Sequence, residues 1–307
     1  VRDDGDARPR AVYVPVVNNA DGRVQSFNDA ASVARAVLSH NREHPDRPVY
    51  VLGDDVYAGS YLTCVEGRSV ASLSASDVGL EWDDHMHRWT VSVVTSSKTF
   101  ALPTARVGFA VTGGSWLGTA LDHYRTVLSL GRTPQIDELL AATAIAFTPQ
   151  GWIDDWNGVY ADRLTRLIEG IGRLNARLGS EVVSIDRPNG GWYFMLALDP
   201  AAFPSPVRTS FHAFLVLLEY GEDRQDTGVG LLPGELFGFG AGDGAEGRRF
   251  LLRGTLAVSE RAIEGMLERL EDALRRMRED DAAAFAGWLI AEAQAHANVD
   301  GMLRSLE

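Results

Sequence analysis

The segment "WTVSVVTSSKTFALPTARVGFAVTG" (89–113) contains Lys98, the single lysine among 307 residues; the other 28 of the 29 basic residues are arginines. Strand-like runs flank it, "WTVSVVTSS" (89–97) and "RVGFAVTG" (106–113). Both are apolar on both parities, the pattern of strands covered by helices on two sides. Lysine can do what arginine cannot: its amine can lose a proton near neutral pH when desolvated and then attack a carbonyl. The plainer reading is a codon-biased sequence that leaves one solvated lysine by chance. The neighbours favour chemistry. Lys98 ends a buried-looking strand, Thr95, Ser96 and Ser97 precede it, and Arg106 follows at the start of the next strand. Hydroxyls with a guanidinium fork suit a phosphate group.

Composition narrows the rest. A formal charge of −13 argues against nucleic-acid binding, which needs clustered cations. The arginines of "RRMRED" are flanked by carboxylates and read as a solvated helix face. One cysteine, Cys64, permits no internal disulfide and no cysteine metal site, and no metal ligand set is expected. The apolar run "FHAFLVLL" is far too short to span a bilayer, and no secretory signal opens the chain. The expectation is a soluble, cytoplasmic globular protein.

Further strand-like runs lie at "AVYVPVV" (11–17) and "PVYVLGD" (48–54). Between them "SFNDAASVARAVLSHNREH" opens with the capping-box pair Ser26 and Asp29 and continues with helical spacing. Strand, helix, strand predicts a crossover unit in a mainly parallel α/β sheet. Helices are predicted at 115–131, 135–148 and 153–179, the last ended by Gly179. From about Glu181, "EVVSID", "GGWYFMLALD", "VGLLPG" and "RRFLLRGTLA" predict a smaller α+β domain. The tail after Asp280 reads as a helix anchored by Trp288, Leu289 and Met302. "GFGAGDGAEGRR" lacks the Lys-Ser/Thr of a P-loop and reads as a flexible turn.

A Schiff-base lysine beside a phosphate cradle points to pyridoxal 5'-phosphate (PLP), an aldehyde cofactor that carries a phosphate. "SSKTFALPTARVG" resembles the lysine signature of fold-type I PLP-dependent enzymes, specifically class I/II aminotransferases. Three stretches match in the same order: "VVNNADGR" the Asn turn, "GDDVYAGS" the Asp-x-x-Tyr motif, and "FLLRGTLAVSERAIEGMLERL" the segment that binds the substrate carboxylate. "NGGWYFML" and "LPGELFG" also look like small-domain segments, so the resemblance runs from about residue 11 to 275.

The resemblance implies a role for each residue. Lys98 would form the Schiff base and serve as the base at the substrate α-carbon. Asp54 would face the pyridine nitrogen, with Asp55 competing for that place. Tyr57 and Asn19 would bond the ring 3-oxygen, although Tyr57 alone could be a core tyrosine and Asn19 an ordinary turn residue. Thr95, Ser97 and Arg106 would hold the phosphate; Arg106 could equally form a surface salt bridge. Arg253 would clamp the α-carboxylate, or else occupy an edge strand as a plain charge. Arg132 would reach a second carboxylate, against the plainer reading of a loop arginine facing solvent.

The Asn turn lacks the family's Pro and Thr. The resemblance also implies that the front of the large domain, with its Gly/Ser-rich phosphate loop and ring-stacking aromatic, lies outside these residues. Residues 1–150 would then be the C-terminal part of the PLP-binding domain, 151–180 a connecting helix, and 181–307 a small domain with a helical tail. The activity implied is an aminotransferase on an amino acid and keto acid, working as a homodimer. Other α-carbon chemistry on the same cofactor is the alternative: decarboxylation, racemisation, cyclisation or oxidation. An aminotransferase-like sensor domain of a transcription regulator is a third reading, and a catalytically dead structural subunit a fourth.

Overall fold

The structure is a computed structural model and describes residues 11–63, 65, 67–129, 133–219, 228–239, 249–278 and 281–295. The chain divides into two compact units, one of Val1–Gly158 with Asn189–Gly191, the other of Val159–Pro188 with Trp192–Glu307.

The first unit is built on a sheet of four strands in the order β1 (Ala11–Pro15), β2 (Tyr50–Asp54), β3 (Thr90–Thr95) and β4 (Gly108–Val111). β1, β2 and β3 run parallel, and β4 closes the sheet antiparallel to β3. Helix α1 (Phe27–Glu43) makes the β1-to-β2 crossover. Its capping box forms as the spacing predicts, Ser26 Oγ accepting from the Asp29 amide and Asp29 accepting from the Ser26 amide. Asn41, buried near its end, donates to Val49 O at 2.9 Å and accepts from the Val49 amide at 2.7 Å. The turn into β2 is thereby satisfied without water.

One face of this sheet carries the core: Val14 and Val51 pack with Ala30, Ala34, Val37 and Leu38 of α1 and with Leu73 and Met86. The opposite face departs from the two-sided covering that the apolar runs predict. Tyr13 and Leu52 are register partners on it, 59% and 42% exposed. Period-two geometry sends alternate residues of each strand to that side, so their apolar character alone cannot say what covers them. Helices α2 (Ser115–Ser129) and α3 (Gln135–Phe147) follow β4.

Helix α4 (Gln150–Leu178) is ended by Gly179 at φ 70°, the left-handed cap the sequence predicts. The second unit contains an antiparallel sheet in the order β5 (Val183–Asp186), β6 (Tyr193–Leu198), β8 (Phe250–Thr255), β7 (Leu232–Pro233). Helices α5 (Ser210–Glu219) and α6 (Glu260–Arg276) belong to it. Its core includes Phe194, Leu196, Leu198 and Leu252, each no more than 1% exposed. Glu271 of α6 accepts from Arg177 at 2.7 Å and from Arg275 at 2.7 Å, which holds its carboxyl below the usual range.

The tail helix α7 (Ala282–Ala295) forms, but one anchor differs: Trp288 is 59% exposed, while Leu289 and Ile290 are buried. The helix turns its neighbouring residue inward instead, because residues one apart on a helix face different ways. Met302, Cys64, Arg132 and most of "GFGAGDGAEGRR" lie outside the described residues. No described helix is long and apolar enough to cross a membrane.

Candidate active site

The parallel strands end in step. Pro15 pairs with Asp54, and Asp54 with Val93, so three chain segments leave the sheet at one edge. These segments carry Asn19, Tyr57 and Lys98. Tyr57 is 2% exposed, and its hydroxyl donates to Asn19 Oδ1 at 3.1 Å. Lys98 Nζ lies 5.3 Å from the centroid of the Tyr57 ring, within cation–π range. Three residues from separate stretches of sequence therefore meet.

The turns that present them are fixed locally. After β3 the chain folds back on itself, the Leu102 amide donating to Ser96 O at 2.9 Å and the Ala101 amide to Lys98 O at 2.8 Å. Thr99 fastens this turn to the Tyr57 segment: its hydroxyl donates to Ala58 O and lies 3.0 Å from Ser60 Oγ. At the Asn turn, Asn18 does the work that Pro and Thr would do. Its side chain accepts from the Ala20 amide at 2.8 Å, and its carbonyl accepts from Gly22 at 3.0 Å. An Asx turn of this kind needs neither residue.

The two adjacent aspartates part ways. Asp55 is 8% exposed, turns inward and accepts from Ser69 Oγ at 2.8 Å. Burial raises its carboxyl pKa, with the Ser69 hydrogen bond opposing. Asp54, half-buried at the end of β2, accepts instead from the hydroxyl of Tyr13. The Tyr13 phenol is pushed up to about 12 by partial burial, then by that hydrogen bond and the charge of Asp54.

Thr95 Oγ1 lies 3.0 Å from Ser97 Oγ, accepts from the Ser97 amide at 3.1 Å and donates to Val107 O at 2.7 Å. Arg106 is exposed, sits in the left-handed region at φ 53°, and donates to Pro103 O at 3.2 Å. Arg253 belongs to the other unit, on β8. Its guanidinium carbon lies 4.2 Å from the Tyr193 ring centroid and 3.9 Å from that of Phe237.

This architecture has relatives among solved structures. An aromatic aminotransferase from Pyrococcus horikoshii OT3 matches 87% of the chain with a TM-score of 0.65 at 21% identity. Aspartate aminotransferase from Thermus thermophilus with maleate matches 86% at 0.63 and 22%, and that from Thermotoga maritima 87% at 0.60 and 18%. The fold is that of the fold-type I, PLP-dependent aminotransferases. The chain spans 60%, 56% and 56% of the length of these three structures. No family model matches the sequence, and no curated protein matches it.

Within this aminotransferase fold, two contributions escape motif reading. Tyr13 was legible in principle: β1 and β2 are parallel and in register, so position 13 lies on the face of Asp54, one diagonal step away. The second is the tripeptide Asn189–Gly191. Asn189 Oδ1 accepts from the Val24 amide at 2.7 Å, its carbonyl accepts from Leu62 at 3.0 Å, and the Gly191 amide donates to Ser60 O at 2.8 Å. It thus ties the Asn19 segment to the Tyr57 segment. A Cβ at Gly190 would meet Val24 Cγ2 at 2.4 Å and Ser60 O at 3.0 Å, so only glycine permits the approach. In the sequence this tripeptide stands out only as the start of the small-domain segment "NGGWYFML", which does not foretell these contacts.

Proposed function

We propose that this chain carries the lysine half of a PLP-dependent aminotransferase site, and that its substrate is an amino acid and keto acid pair. The observation that carries the reading is the meeting of Lys98, Tyr57 and Asn19 at the ends of parallel strands. The donor set fits the cofactor: a lone amine for the aldehyde, a phenol and an amide for the ring oxygen, a carboxylate for the ring nitrogen, hydroxyls and a guanidinium for the phosphate. Bound there, the cofactor would supply an electron-accepting ring that stabilises charge at the substrate α-carbon.

The protein's own groups do the rest. Lys98 Nζ would hold the cofactor and would move the proton at the substrate α-carbon. Tyr57, whose one O–H is donated to Asn19 Oδ1 here, would turn it toward the ring oxygen. Asp54 keeps the ring nitrogen protonated, and Tyr13 fixes the orientation of that carboxylate. Asp55, inward and engaged by Ser69, does not serve. Thr95, Ser97 and Arg106 take the phosphate, Arg106 exchanging its carbonyl partner for the anion. Arg253 takes the substrate carboxylate. A homodimer is part of the reading.

The test is borohydride reduction of the protein incubated with pyridoxal phosphate, followed by peptide mass spectrometry. A pyridoxyl adduct on the Lys98 peptide is expected, absent from Lys98→Arg. If the amino terminus is the only labelled group, the reading fails.

A further inference from the structure

Helix α1 and its C-cap end in "HNREH" (40–44), which sets His40 and His44 four residues apart on one face. Their ring centroids lie 4.7 Å apart, with the planes tilted by 50°. Two imidazoles on one tetrahedral zinc ion, with each Zn–N bond about 2.1 Å, hold their centroids about 5 Å apart. The pair is therefore spaced as a chelate before any ion arrives. A second pair, His85 and His87, is stacked at 30°, and its rings are engaged elsewhere. His85 lies 3.5 Å from Asp83, and His87 packs on Gly113, where a Cβ would meet its Cδ2 at 2.1 Å.

A hydrogen bond decides which nitrogen His40 can offer. Its Nε2 lies 3.1 Å from the carbonyl of Arg47. A carbonyl only accepts, so Nε2 carries the proton, and in the neutral ring the lone pair falls on Nδ1. Metal-binding histidines are held in this way, one nitrogen donating to a backbone oxygen while the other ligates. His44 is exposed, and its ring makes no hydrogen bond among the described residues. The charges nearby suit a cation. The Arg42 guanidinium lies 4.4 Å from the Trp82 ring centroid, and Arg47 faces Asp46 at 3.8 Å, so both local cations have partners. The histidines also stand at the carbonyl end of a 17-residue helix, where the backbone dipole favours positive charge.

We propose that His40 and His44 form a binding site for one divalent transition-metal ion of the zinc, nickel or copper class, ligated by Nδ1 of His40 and one nitrogen of His44. Imidazole suits these ions, whereas magnesium and calcium take oxygen ligands. The spacing His-x-x-Glu-His also occurs on zinc-peptidase helices. A hydrolytic zinc needs three protein ligands, and no third histidine, cysteine or carboxylate joins the pair among the described residues. Water completes the coordination, and the ion ties the last turn of α1 to its C-cap. The site lies in the first unit and needs no cofactor.

The probe is zinc chloride, titrated calorimetrically into the untagged chain without pyridoxal phosphate, with magnesium chloride as the control. One zinc ion per chain is expected to bind saturably, and magnesium not to bind. In the ¹⁵N-labelled chain, long-range spectra of the histidine rings should show zinc shifting Nδ1 of His40 and one ring nitrogen of His44, with Nε2 of His40 still protonated. His44→Ala should weaken binding at least tenfold. The position is exposed, and an unchanged metal-free Tm checks that the variant folds. His85→Ala should bind as the parent does. Equal binding of magnesium, full affinity in His44→Ala, or ring shifts confined to His85 and His87 would each overturn the proposal.

Discussion

The two sheets of this molecule use similar residues to opposite ends. The antiparallel sheet of the second unit buries Phe194, Leu196 and Leu252 almost completely, and Arg253 stands on its inner strand β8, paired to Met195 of β6 and Leu232 of β7. The parallel sheet of the first unit has one packed face and one with Tyr13 and Leu52 in the open, and its C-terminal edge gathers Asn19, Tyr57 and Lys98. Leucine at 252 and leucine at 52 are therefore not equivalent, although both sit mid-strand in apolar runs. Parallel strands all point the same way, so their ends converge; antiparallel strands scatter theirs to both edges.

The contrast can be broken most sharply at Lys98. Lys98→Arg should abolish covalent cofactor attachment outright while leaving the melting profile unchanged, because only the amine forms the bond. An unchanged pyridoxyl adduct would move the chemistry elsewhere. Next is the leucine pair. Leu252→Ala should destabilise its unit by about 2–5 kcal/mol, whereas Leu52→Ala should cost about 0.5 kcal/mol, measured by hydrogen exchange within each unit. A cost of several kcal/mol at Leu52 would mean that the second face of the parallel sheet is covered in solution.

Two titrations sharpen the first unit further. Tyr13 has its folded pKa raised from 10.0 to about 12, so the stability it contributes is complete below pH 10 and is lost as pH rises toward 12. Tyr13→Phe should flatten that alkaline decline in a pH series of urea melts. Asp55 is also raised, by burial, so its contribution is fullest below the ordinary carboxylate value and declines as pH climbs through its folded value. Asp55→Asn should remove this dependence, read from the same series as pH rises above the ordinary carboxylate value.

Elements with strong local signals were legible in the sequence. The Ser26 capping box, the Gly179 stop and the crossover between β1 and β2 each follow from a few adjacent residues. Candidate residues in short motifs could be named as well, with Lys98 leading because it has no rival in composition. What stayed hidden depends on which face a side chain takes or on chain far away. Trp288 and Leu289 look alike as anchors until helix phase separates them. Asp54 and Asp55 look alike until the strand sends one toward Tyr13 and the other toward Ser69. Asn189 acts on Val24 from the far side of the sequence, where no periodicity reports.

The in-step ending of β1, β2 and β3 has a consequence for how this chain can vary. Because Pro15, Asp54 and Val93 lie level, each residue beyond them counts as distance toward a common point. One residue inserted in the turn between Asp54 and Tyr57 would carry the phenol away from Asn19 and Lys98. The exposed turn at 44–47, on the opposite rim, carries no such measure. Length polymorphism and engineered insertions should accumulate on that rim alone, which gives the sheet a permissive margin and a gauged one.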